Sequence, residues 1–496
     1  MPPDGSLIAL EPDREPEHDL ARDAESEEVS SHRWLGLCGA IGAPAVFLLL
    51  WFAPLPLSTP AHRLAAIAGA VLIAWVTEVV PLPVSALALG PLLVMTGVSP
   101  AKKAFASFAD PILFLFVGSF FVARAMQRHG LDRRIAEGIA SLPIVAGRPA
   151  RIRAAVGLSA MALSMWMSNT GTTAILLPVL LGMISGARGP MAAGSVLMLA
   201  HASTTGGLAT IVGTPPNAIT ARILAGAGIK ISFLDWMKVG VPAALVLTGC
   251  AYALLAWTLP AGTQQHASVQ REGRSWSRAE LITGLSFVLM VAGWIVPDAL
   301  ALAGVHNELA TRLEPGAVAI AASSILFMVP ARPGGERVLT WADAVKIEWG
   351  LILLFGGGIA LGEAMFETGL AGVLGEGFLA VTHVEGLWSL TAAALALAVV
   401  LTEFCSNTAA ANMLLPLVIG AAVQLHVSPI PPALAVGFGA SCGFMLPVAT
   451  GANAIAYGTQ LVSARSMIRV GFAMDVISGL IIFAVLRTLC PLLGWD

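Results

Sequence analysis

The sequence predicts an all-α polytopic membrane protein, with about 11 transmembrane helices and two re-entrant hairpins in two repeats of inverted topology. The first observation is composition: 57% of the 496 residues are hydrophobic, 11% are charged, and the mean hydropathy is +0.82. Soluble proteins carry about 25% charged residues, so this composition indicates a bilayer protein. The second observation is a polar triplet that occurs twice within apolar stretches, and the third is a series of landmarks that recurs half a chain apart.

The N-terminal segment is predicted to be a disordered cytoplasmic tail. Residues 1–33 are rich in Glu, Asp and Ser and contain few apolar side chains, a composition that cannot bury a core. The segment also lacks the basic start and early apolar stretch of a secretory signal. The first apolar stretch begins only at residue 34.

Apolar stretches after this tail predict the membrane spans. In the first half they cover about 34–52, 64–80, a third ending near 96, 111–125, 191–208 and 241–259. A polar linker at 260–278 separates the halves. In the second half the spans cover about 281–296, 316–329, 349–366, 433–448 and 470–489.

Two further apolar segments, 154–184 and 387–425, are each interrupted by the same polar triplet. Each arm of the first segment has only about 15 residues, whereas a span needs about 20, so we predict hairpins that enter and leave on one side. Small polar residues are unfavourable against lipid and suit the tip of a broken helix that lines a cavity. The triplets are Ser168-Asn169-Thr170 and Ser406-Asn407-Thr408.

A helix break is predicted after the span that follows each hairpin. Thr214-Pro-Pro-Asn217 in the first half cannot remain regular helix, because proline removes a hydrogen bond from the ladder. Helix is expected to resume at Ala218. Thr450-Gly-Ala-Asn453 occupies the corresponding place in the second half. The two triplets are 238 positions apart, the two breaks 236, and Gly130 and Gly369 239. This regular offset predicts an internal repeat.

The distribution of Lys and Arg predicts the orientation. With the tail in the cytoplasm, about 15 basic residues fall on cytoplasmic loops and about eight elsewhere. The first hairpin then opens from the cytoplasm and the second from outside, and the C-terminus is external. We interpret the Arg-rich stretch 124–153 as part of this topology signal, with lipid head-group contact as an alternative.

The paired triplets suit a cation and an anion together. Hydroxyl and amide oxygens, with carbonyls freed where a helix ends, can bind Na+. The N-terminus of the helix that restarts after each triplet offers unpaired N–H groups to a carboxylate or sulfate. The motifs contain no Lys or Arg, so we expect a divalent anion to depend on co-bound cations.

Simpler interpretations remain for several residues. Each Ser-Asn-Thr could merely cap a helix. Glu403 could carry a proton or brace a broken helix, and bracing is the preferred interpretation for Glu78, beside two prolines. His201 is interpreted as a packed histidine rather than a proton relay.

Together these motifs resemble the divalent anion/sodium symporters, which carry dicarboxylates, citrate or sulfate. The resemblance covers nearly the whole chain after the tail and rests on both triplets, on both breaks, and on the stretches 77–83 and 108–134. It implies a homodimer in which a scaffold domain holds a moving transport domain, as in an elevator. The scaffold would comprise 34–150 and 279–382, and the transport domain 151–259 and 383–496.

The resemblance also implies the site residues. One Na+ would lie at each tip, and the substrate carboxylates would meet the triplets and the breaks. The first Na+ set is Ser164, Ser168, Asn169 and Gly213, and the second is Thr402, Cys405, Asn407 and Ala449. The substrate set is Ser168, Asn169, Thr170, Thr214, Pro215, Ser406, Asn407, Thr408 and Thr450.

This chain departs from the family pattern at the second break and the second tip. Gly451-Ala452 stands where many members have Pro-Pro, and Ala409-Ala410-Ala411-Asn412 where threonines are common. Glycine keeps the backbone free to bend, so a cation site can persist.

We therefore expect a Na+-coupled importer of four-carbon dicarboxylates such as succinate, malate or fumarate, in the cell membrane. The alternatives within the class are a Na+-independent dicarboxylate exchanger and a sulfate or citrate carrier. A membrane enzyme is disfavoured because neither tip has a histidine base nearby in the sequence, and a passive channel is the remaining alternative.

Overall fold

The computed structural model describes residues 36–141, 148–184, 186–261, 275–305 and 312–496. The predicted tail (1–33) and most of the predicted linker (260–278) lie outside these ranges. The described residues form helices joined by turns, with a single isolated β-bridge between Pro330 and Arg337. The predicted all-α class is confirmed. The helices are α1 (Gly36–Phe52), α2 (Thr59–Thr77), α3 (Leu82–Met95), α4 (Ala101–Ala106), α5 (Pro111–His129), α6 (Leu131–Ala140), α7 (Pro149–Ser164), α8 (Asn169–Met183), α9 (Pro190–Gly207), α10 (Pro215–Gly226), α11 (Phe233–Thr258), α12 (Arg278–Leu302), α13 (Pro315–Met328), α14 (Trp341–Ala344), α15 (Trp349–Glu367), α16 (Leu370–Thr382), α17 (Leu387–Phe404), α18 (Asn407–Gln424), α19 (Ile430–Gly439), α20 (Gly451–Gly458) and α21 (Ala464–Leu492).

Eight helical stretches in the described ranges are long and apolar enough to cross a membrane. They are α2, α4 together with α5, α11, α12, α15, α17, α18 and α21. Six further apolar helices are shorter, among them α3, α8 and α19. The protein is therefore a multi-pass membrane protein, while the count of 11 spans stays a prediction.

Two short helices that the sequence did not predict follow Gly130 and Gly369. Gly130 ends α5 with φ 71°, and Gly369 separates α15 from α16 with φ 79°. Both conformations are left-handed, which glycine adopts without steric cost. The chain thus turns at equivalent places into α6 and α16, whose 10 and 13 residues are too few for a span.

The predicted span at 433–448 is wrong in its second half. Helix α19 ends at Gly439, and helical structure resumes only at Gly451, so the second break begins about ten residues earlier than expected. The segment is apolar in sequence, but polar side chains hold its backbone groups, as described below. In the first repeat α10 begins at Pro215 rather than at the expected Ala218, because proline is favoured in the first helical turn.

The two hairpins differ in length. In the first, α7 and α8 have 16 and 15 residues, as the sequence predicts. In the second, α17 and α18 have 18 residues each, which is long enough by length alone to cross a bilayer. Whether the second segment is re-entrant therefore stays a prediction.

Helix packing places each break against the opposite hairpin. Helices α7 and α8 pack on α9, and α17 and α18 pack on α19. The helix after the second break, α20, contacts α8 and α9 of the first half of the chain, whereas α10, after the first break, contacts α18 and α19 of the second half. The two triplets and the two breaks consequently lie in one core of packed helices.

Arginines of the basic stretch pair with acidic side chains of the second half. Arg128 forms ion pairs with Asp343 and Glu336, and Arg134 pairs with Glu280. Burial alone would raise the pKa of Asp343, but hydrogen bonds from Thr340 and the charge of Arg128 hold this pKa below its ordinary value. These contacts join helices of the two halves. The basic stretch therefore has a packing role in addition to the predicted topology signal.

Candidate cation and anion site

Both triplets lie where one hairpin arm ends and the next helix begins. In the first, Ser168 is the N-cap of α8, and its Oγ accepts a hydrogen bond from the Gly171 N–H at 3.1 Å. In the second, Ser406 is the N-cap of α18 but its side chain makes no capping hydrogen bond. Helix capping accounts for Ser168 and cannot account for the second triplet.

The asparagine of each triplet makes the same contact. Ser164 Oγ donates to Asn169 Oδ1 at 2.7 Å. Thr402 Oγ1 lies 2.7 Å from Asn407 Oδ1 and 2.6 Å from the Ala440 carbonyl oxygen, and its single proton can be donated to one of them. Ser164 and Thr402 are both 0% exposed. Each contact joins the end of one arm to the first residue of the next helix and brings a hydroxyl and an amide oxygen together. Neutral oxygens in such a group are suitable ligands for Na+.

The asparagine of each break clamps its own loop. Asn217 Nδ2 donates to the Gly207 and Thr210 carbonyls at 2.8 and 2.7 Å. Asn453 Nδ2 donates to the carbonyls of Gly443 and Leu446 at 3.2 and 3.0 Å. The acceptors lie ten and seven residues before the asparagine in both halves of the chain.

The sequence marks these two asparagines as part of the breaks but predicts no separate role for them. Both are 0% exposed, and the Oδ1 atom of each has no hydrogen-bond partner within the described residues. The only sequence pattern that could have indicated this role is their common position in Thr-x-x-Asn. Their side chains fix two short loops whose backbone carbonyl groups lie outside the regular hydrogen bonding of a helix.

The first predicted cation set converges around Gly207. A Cβ placed on Gly207 would lie 2.5 Å from Asn169 Oδ1, and one placed on Gly213 would lie 2.4 Å from the Gly207 carbonyl oxygen. Ser164 joins through its hydrogen bond to Asn169. The structure therefore brings Ser164, Asn169 and Gly213 close together.

The second predicted cation set converges around Gly443. A Cβ on Gly443 would lie 3.1 Å from the Ala449 Cβ and 3.6 Å from the Thr402 carbonyl oxygen. Asn407 joins through its 2.7 Å contact with Thr402. The Cys405 thiol donates to the Leu401 carbonyl of its own helix at 3.3 Å.

The first tip touches the second break at Gly451. A Cβ on Gly451 would lie 2.3 Å from Thr170 Oγ1, which leaves no room for the proline common in the family. Thr170 is exposed, whereas Thr214, Thr408 and Thr450 are buried. Of the predicted substrate-binding threonines, only Thr170 is open to a ligand in this conformation.

We expect Gly451→Ala to impair transport, because the new methyl group would push Thr170 away from the second break. Overpacking of this kind costs about 1–3 kcal/mol. Uptake by reconstituted protein should fall several-fold while expression stays near normal. Gly458→Ala is the matched control, since nothing lies within 4 Å of a Cβ placed there. Equal uptake by the two variants would show that Thr170 and Gly451 do not need close contact.

A polar cavity of about 850 Å³ lies beside the first hairpin. It is lined by α8 on one side and by the polar residues 127–134 of α5 and α6 on the other. Gln127 lies nearest to the tip, since its Nε2 is 3.5 Å from a Cβ placed on Gly171. Burial raises the pKa of Asp132 in this cavity to about 6, against a lowering backbone hydrogen bond from Arg133. The cavity supplies an aqueous space next to the first triplet.

The acidic candidates and His201 have different surroundings. Glu403 Oε1 and Oε2 accept hydrogen bonds from the Met445 and Leu446 N–H groups, both at 2.9 Å, so Glu403 braces the second break. Glu78 ends α2 with φ 49° and is exposed. His201 is 0% exposed and its ring packs edge-on against Phe444 at 5.1 Å, in agreement with a packed histidine.

Comparison with known proteins identifies the family. A profile described as citrate transporter (CitMHS) matches residues 72–437. The sodium-dependent dicarboxylate transporter SdcS of Staphylococcus aureus (strain USA300) is 31% identical over 93% of this chain and 92% of its own length. SdcS of Staphylococcus saprophyticus is also 31% identical, over 95% of each chain.

A solved structure shares the fold. The YdaH transporter of Alcanivorax borkumensis superposes with a TM-score of 0.55 over 81% of this chain and 88% of that one, at 16% sequence identity. At this identity the likeness concerns the fold alone. With the family profile and the SdcS relatives, it confirms the resemblance found in the motifs. The chain is a membrane transporter of the citrate transporter family, within the group of divalent anion/sodium symporters.

Proposed function

We propose that this protein is a secondary active transporter that couples the uptake of four-carbon dicarboxylates to Na+. The observation that carries the proposal is the matched pair of hydroxyl–amide contacts, Ser164–Asn169 and Thr402–Asn407, each at 2.7 Å and each beside an asparagine-clamped loop. The SdcS relatives are named as sodium-dependent dicarboxylate transporters, which supports the substrate class and the ion.

The proposed site divides its ligands by chemistry. Neutral oxygens of the tips and the freed loop carbonyls bind Na+, one ion at each tip, through the two sets predicted from the sequence. The N-termini of α8 and α18, at Asn169 and Asn407, present N–H groups and the positive end of the helix dipole to the two substrate carboxylates. The Na+ ions neutralise the dianion, so neither ligand binds well alone.

Transport requires the site to face each side of the membrane in turn. We assign 34–150 and 279–382 to a scaffold that dimerises, and 151–259 and 383–496 to a transport domain that moves as an elevator. Under this assignment the ion pairs of Arg222 with Asp110 and Glu363 cross the domain boundary. They must separate when the transport domain moves, and they favour the conformation seen here.

The proposed location is the cell membrane, with the N-terminus in the cytoplasm and the C-terminus outside. The first hairpin then opens toward the cytoplasm, and the 850 Å³ cavity beside it is the inner vestibule. The described conformation is accordingly inward-facing.

A citrate carrier is the second candidate, because the matching family profile is described as a citrate transporter. A Na+-independent dicarboxylate exchanger and a sulfate carrier are the remaining variants of the proposal. The small side chains at the second tip, Ala409 to Ala411, are 0% exposed and do not line an opening in this conformation. They therefore give no reason to prefer the larger substrate.

The test is uptake of labelled succinate by proteoliposomes that contain the purified protein. We expect accumulation driven by an inward Na+ gradient, with competition by malate and fumarate stronger than by citrate or sulfate. Uptake that ignores Na+ but requires internal dicarboxylate would replace the symporter with an exchanger. Stronger competition by citrate would replace the substrate class.

A further inference from the structure

We propose that Asn412 is a further substrate-binding residue, which contacts a dicarboxylate that enters from outside after α18 has moved away from α15. The inference rests on the proposed function, because it requires a conformation that opens to the outside. Asn412 lies on α18, one helical turn beyond Thr408 of the second triplet. The substrate set expected from the sequence does not include it.

The side-chain amide of Asn412 is buried without a hydrogen-bond partner. The residue is 1% exposed, and neither Oδ1 nor Nδ2 has a partner within the described residues. Buried amides are nearly always paired, because an amide that leaves water without a new partner loses the free energy of its hydration. The protein therefore carries this amide at a cost in the present conformation, and a ligand in a second conformation accounts for that cost.

The contact that buries the amide is made with Gly358 on α15. A Cβ placed on Gly358 would overlap Oδ1, Cγ and Nδ2 of Asn412, so the amide lies directly on the backbone of α15. One turn further along both helices, the Cγ atom of Pro416 lies 3.7 Å from a Cβ placed on Gly362. Under the proposed domain assignment α15 belongs to the scaffold and α18 to the transport domain. The amide is thus covered at the boundary across which the domains move.

The corresponding face of the first hairpin is open. Three residues of α18 lie 238 positions, the offset between the two triplets, after three residues of α8: Asn412, Pro416 and Gly420 after Ala174, Pro178 and Gly182. The three residues of α8 are exposed and line the 850 Å³ cavity, whereas the three residues of α18 are buried. Two helix faces that correspond in the sequence therefore differ in their access to water.

The glycine at the end of each face shows the same difference. Nothing lies within 4 Å of a Cβ placed on Gly182, whereas a Cβ placed on Gly420 would overlap the Ala371 carbonyl of α16. Helix α18 packs closely along α15 and α16, while the cavity separates α8 from residues 127–134 of α5 and α6. Alternating access exchanges the open and the closed side of such a pair. The conformation that opens to the outside would accordingly uncover the α18 face.

Once uncovered, Asn412 would lie beside Thr408 on the wall of the outer cavity. Residues four positions apart share one face of a helix, so the amide and the Thr408 hydroxyl would point to the same side of α18. The Nδ2 group donates hydrogen bonds, which a substrate carboxylate accepts, and Oδ1 accepts from a substrate hydroxyl such as that of malate. The amide therefore matches the chemistry of the proposed substrates.

This contact would serve the outer side alone. Ala174, at the position in α8 that corresponds to Asn412, has no polar side-chain group. In the present conformation Asn412 is closed off by Gly358 and is out of reach of a substrate in the inner cavity. Loss of the amide should consequently weaken substrate binding from outside and leave binding from the cytoplasm unchanged.

Asn412→Ala tests this sidedness, with Gln424→Ala as the matched control, because Gln424 is an exposed amide at the end of the same helix. The measurement is the succinate concentration for half-maximal initial uptake, in right-side-out and in inside-out membrane vesicles at fixed Na+ gradients. In right-side-out vesicles Asn412→Ala should raise this concentration about tenfold or more, the effect of losing one hydrogen bond to a charged group. In inside-out vesicles it should not change.

Gln424→Ala should match the unmodified protein in both kinds of vesicle. An equal rise on both sides in Asn412→Ala would show a general structural effect and overturn the inference. No rise in right-side-out vesicles would overturn it as well. If the unmodified protein itself takes up no succinate with Na+, the proposed function fails, and the next measurement still tests the position of Asn412.

Chemical modification of Asn412→Cys tests the exposure directly and needs no substrate. A membrane-impermeant maleimide should modify the new thiol in right-side-out vesicles but not in inside-out vesicles, with the modified peptide identified by mass spectrometry. Gln424→Cys is the positive control at the outer end of α18, and the unmodified protein gives the background from its five native cysteines. Absence of modification from outside, with or without Na+, would overturn the inference even if Na+-driven succinate uptake is found.

Discussion

Asn169→Ala and Asn407→Ala should each abolish Na+-dependent uptake while the protein remains folded. Each asparagine places its Oδ1 atom 2.7 Å from the hydroxyl of Ser164 or Thr402, and each is the first residue of the helix after its tip. Alanine removes this oxygen from the proposed cation ligands. We expect at least about a 100-fold loss of uptake, the upper end for loss of a supporting metal contact.

The measurement is initial succinate uptake under a fixed Na+ gradient, with size-exclusion chromatography to check folding. Gln424→Ala is the control, because it removes an exposed amide from the end of α18. Near-normal uptake by one of the two asparagine variants would remove the cation assignment from that tip and leave the other tip intact.

Asn217→Asp and Asn453→Asp should destabilise the folded protein more strongly than the two alanine substitutions at the tips. Aspartate has nearly the shape of asparagine, but it has no N–H group and at most one O–H donor, so at least one of the two buried carbonyls in each loop would lose its partner. A buried acceptor left without a partner costs about 1–3 kcal/mol. We expect the free energy of unfolding to fall by about 2 kcal/mol or more in each variant, with a lower thermal unfolding midpoint.

The two clamps offer an internal comparison, because they make the same pair of contacts in the two repeats. Both variants should lower the unfolding midpoint of the purified protein, whereas Gln424→Glu, the same chemical exchange at an exposed site, should not. A midpoint that is unchanged in either asparagine variant would show that its clamp does not hold the loop.

Much of the first half of the chain could be predicted from the sequence because its motifs restrict the backbone locally. Proline at 215 and 216 predicts the helix break, although helix resumes at Pro215 and not at Ala218, and Ser168 has a cap conformation that its residue type favours. Similarly, the arms of the first hairpin have the predicted lengths. These features depend on local backbone chemistry, which a sequence displays directly.

The second break could not be placed from the sequence because its causes are tertiary. Residues 440–450 are mostly apolar and read as helix, yet their backbone groups are held by Glu403, Asp475 and Asn453 from three separate elements. Periodicity does not reveal such contacts. Similarly, the pairing of Arg128 with Asp343 joins residues 215 positions apart.

Candidate site residues could be predicted from the sequence to the extent that they lie in the repeated motifs. Asn169 and Asn407 were identified from the triplets, and the structure places each beside the expected hydroxyl. The contact of Thr170 with Gly451 was not foreseen, because it joins the first tip to the second break. It gives a steric reason for glycine at a position where proline is common in the family.

The central claim is that Na+ and the dianion occupy one shared site, and reciprocal binding to the purified protein tests it most directly. Succinate affinity would be measured with and without Na+, and Na+ affinity with and without succinate. The account predicts that each ligand strengthens the other by the same factor, as linkage requires. Succinate that binds equally well when Na+ is replaced by an inert cation would contradict the account.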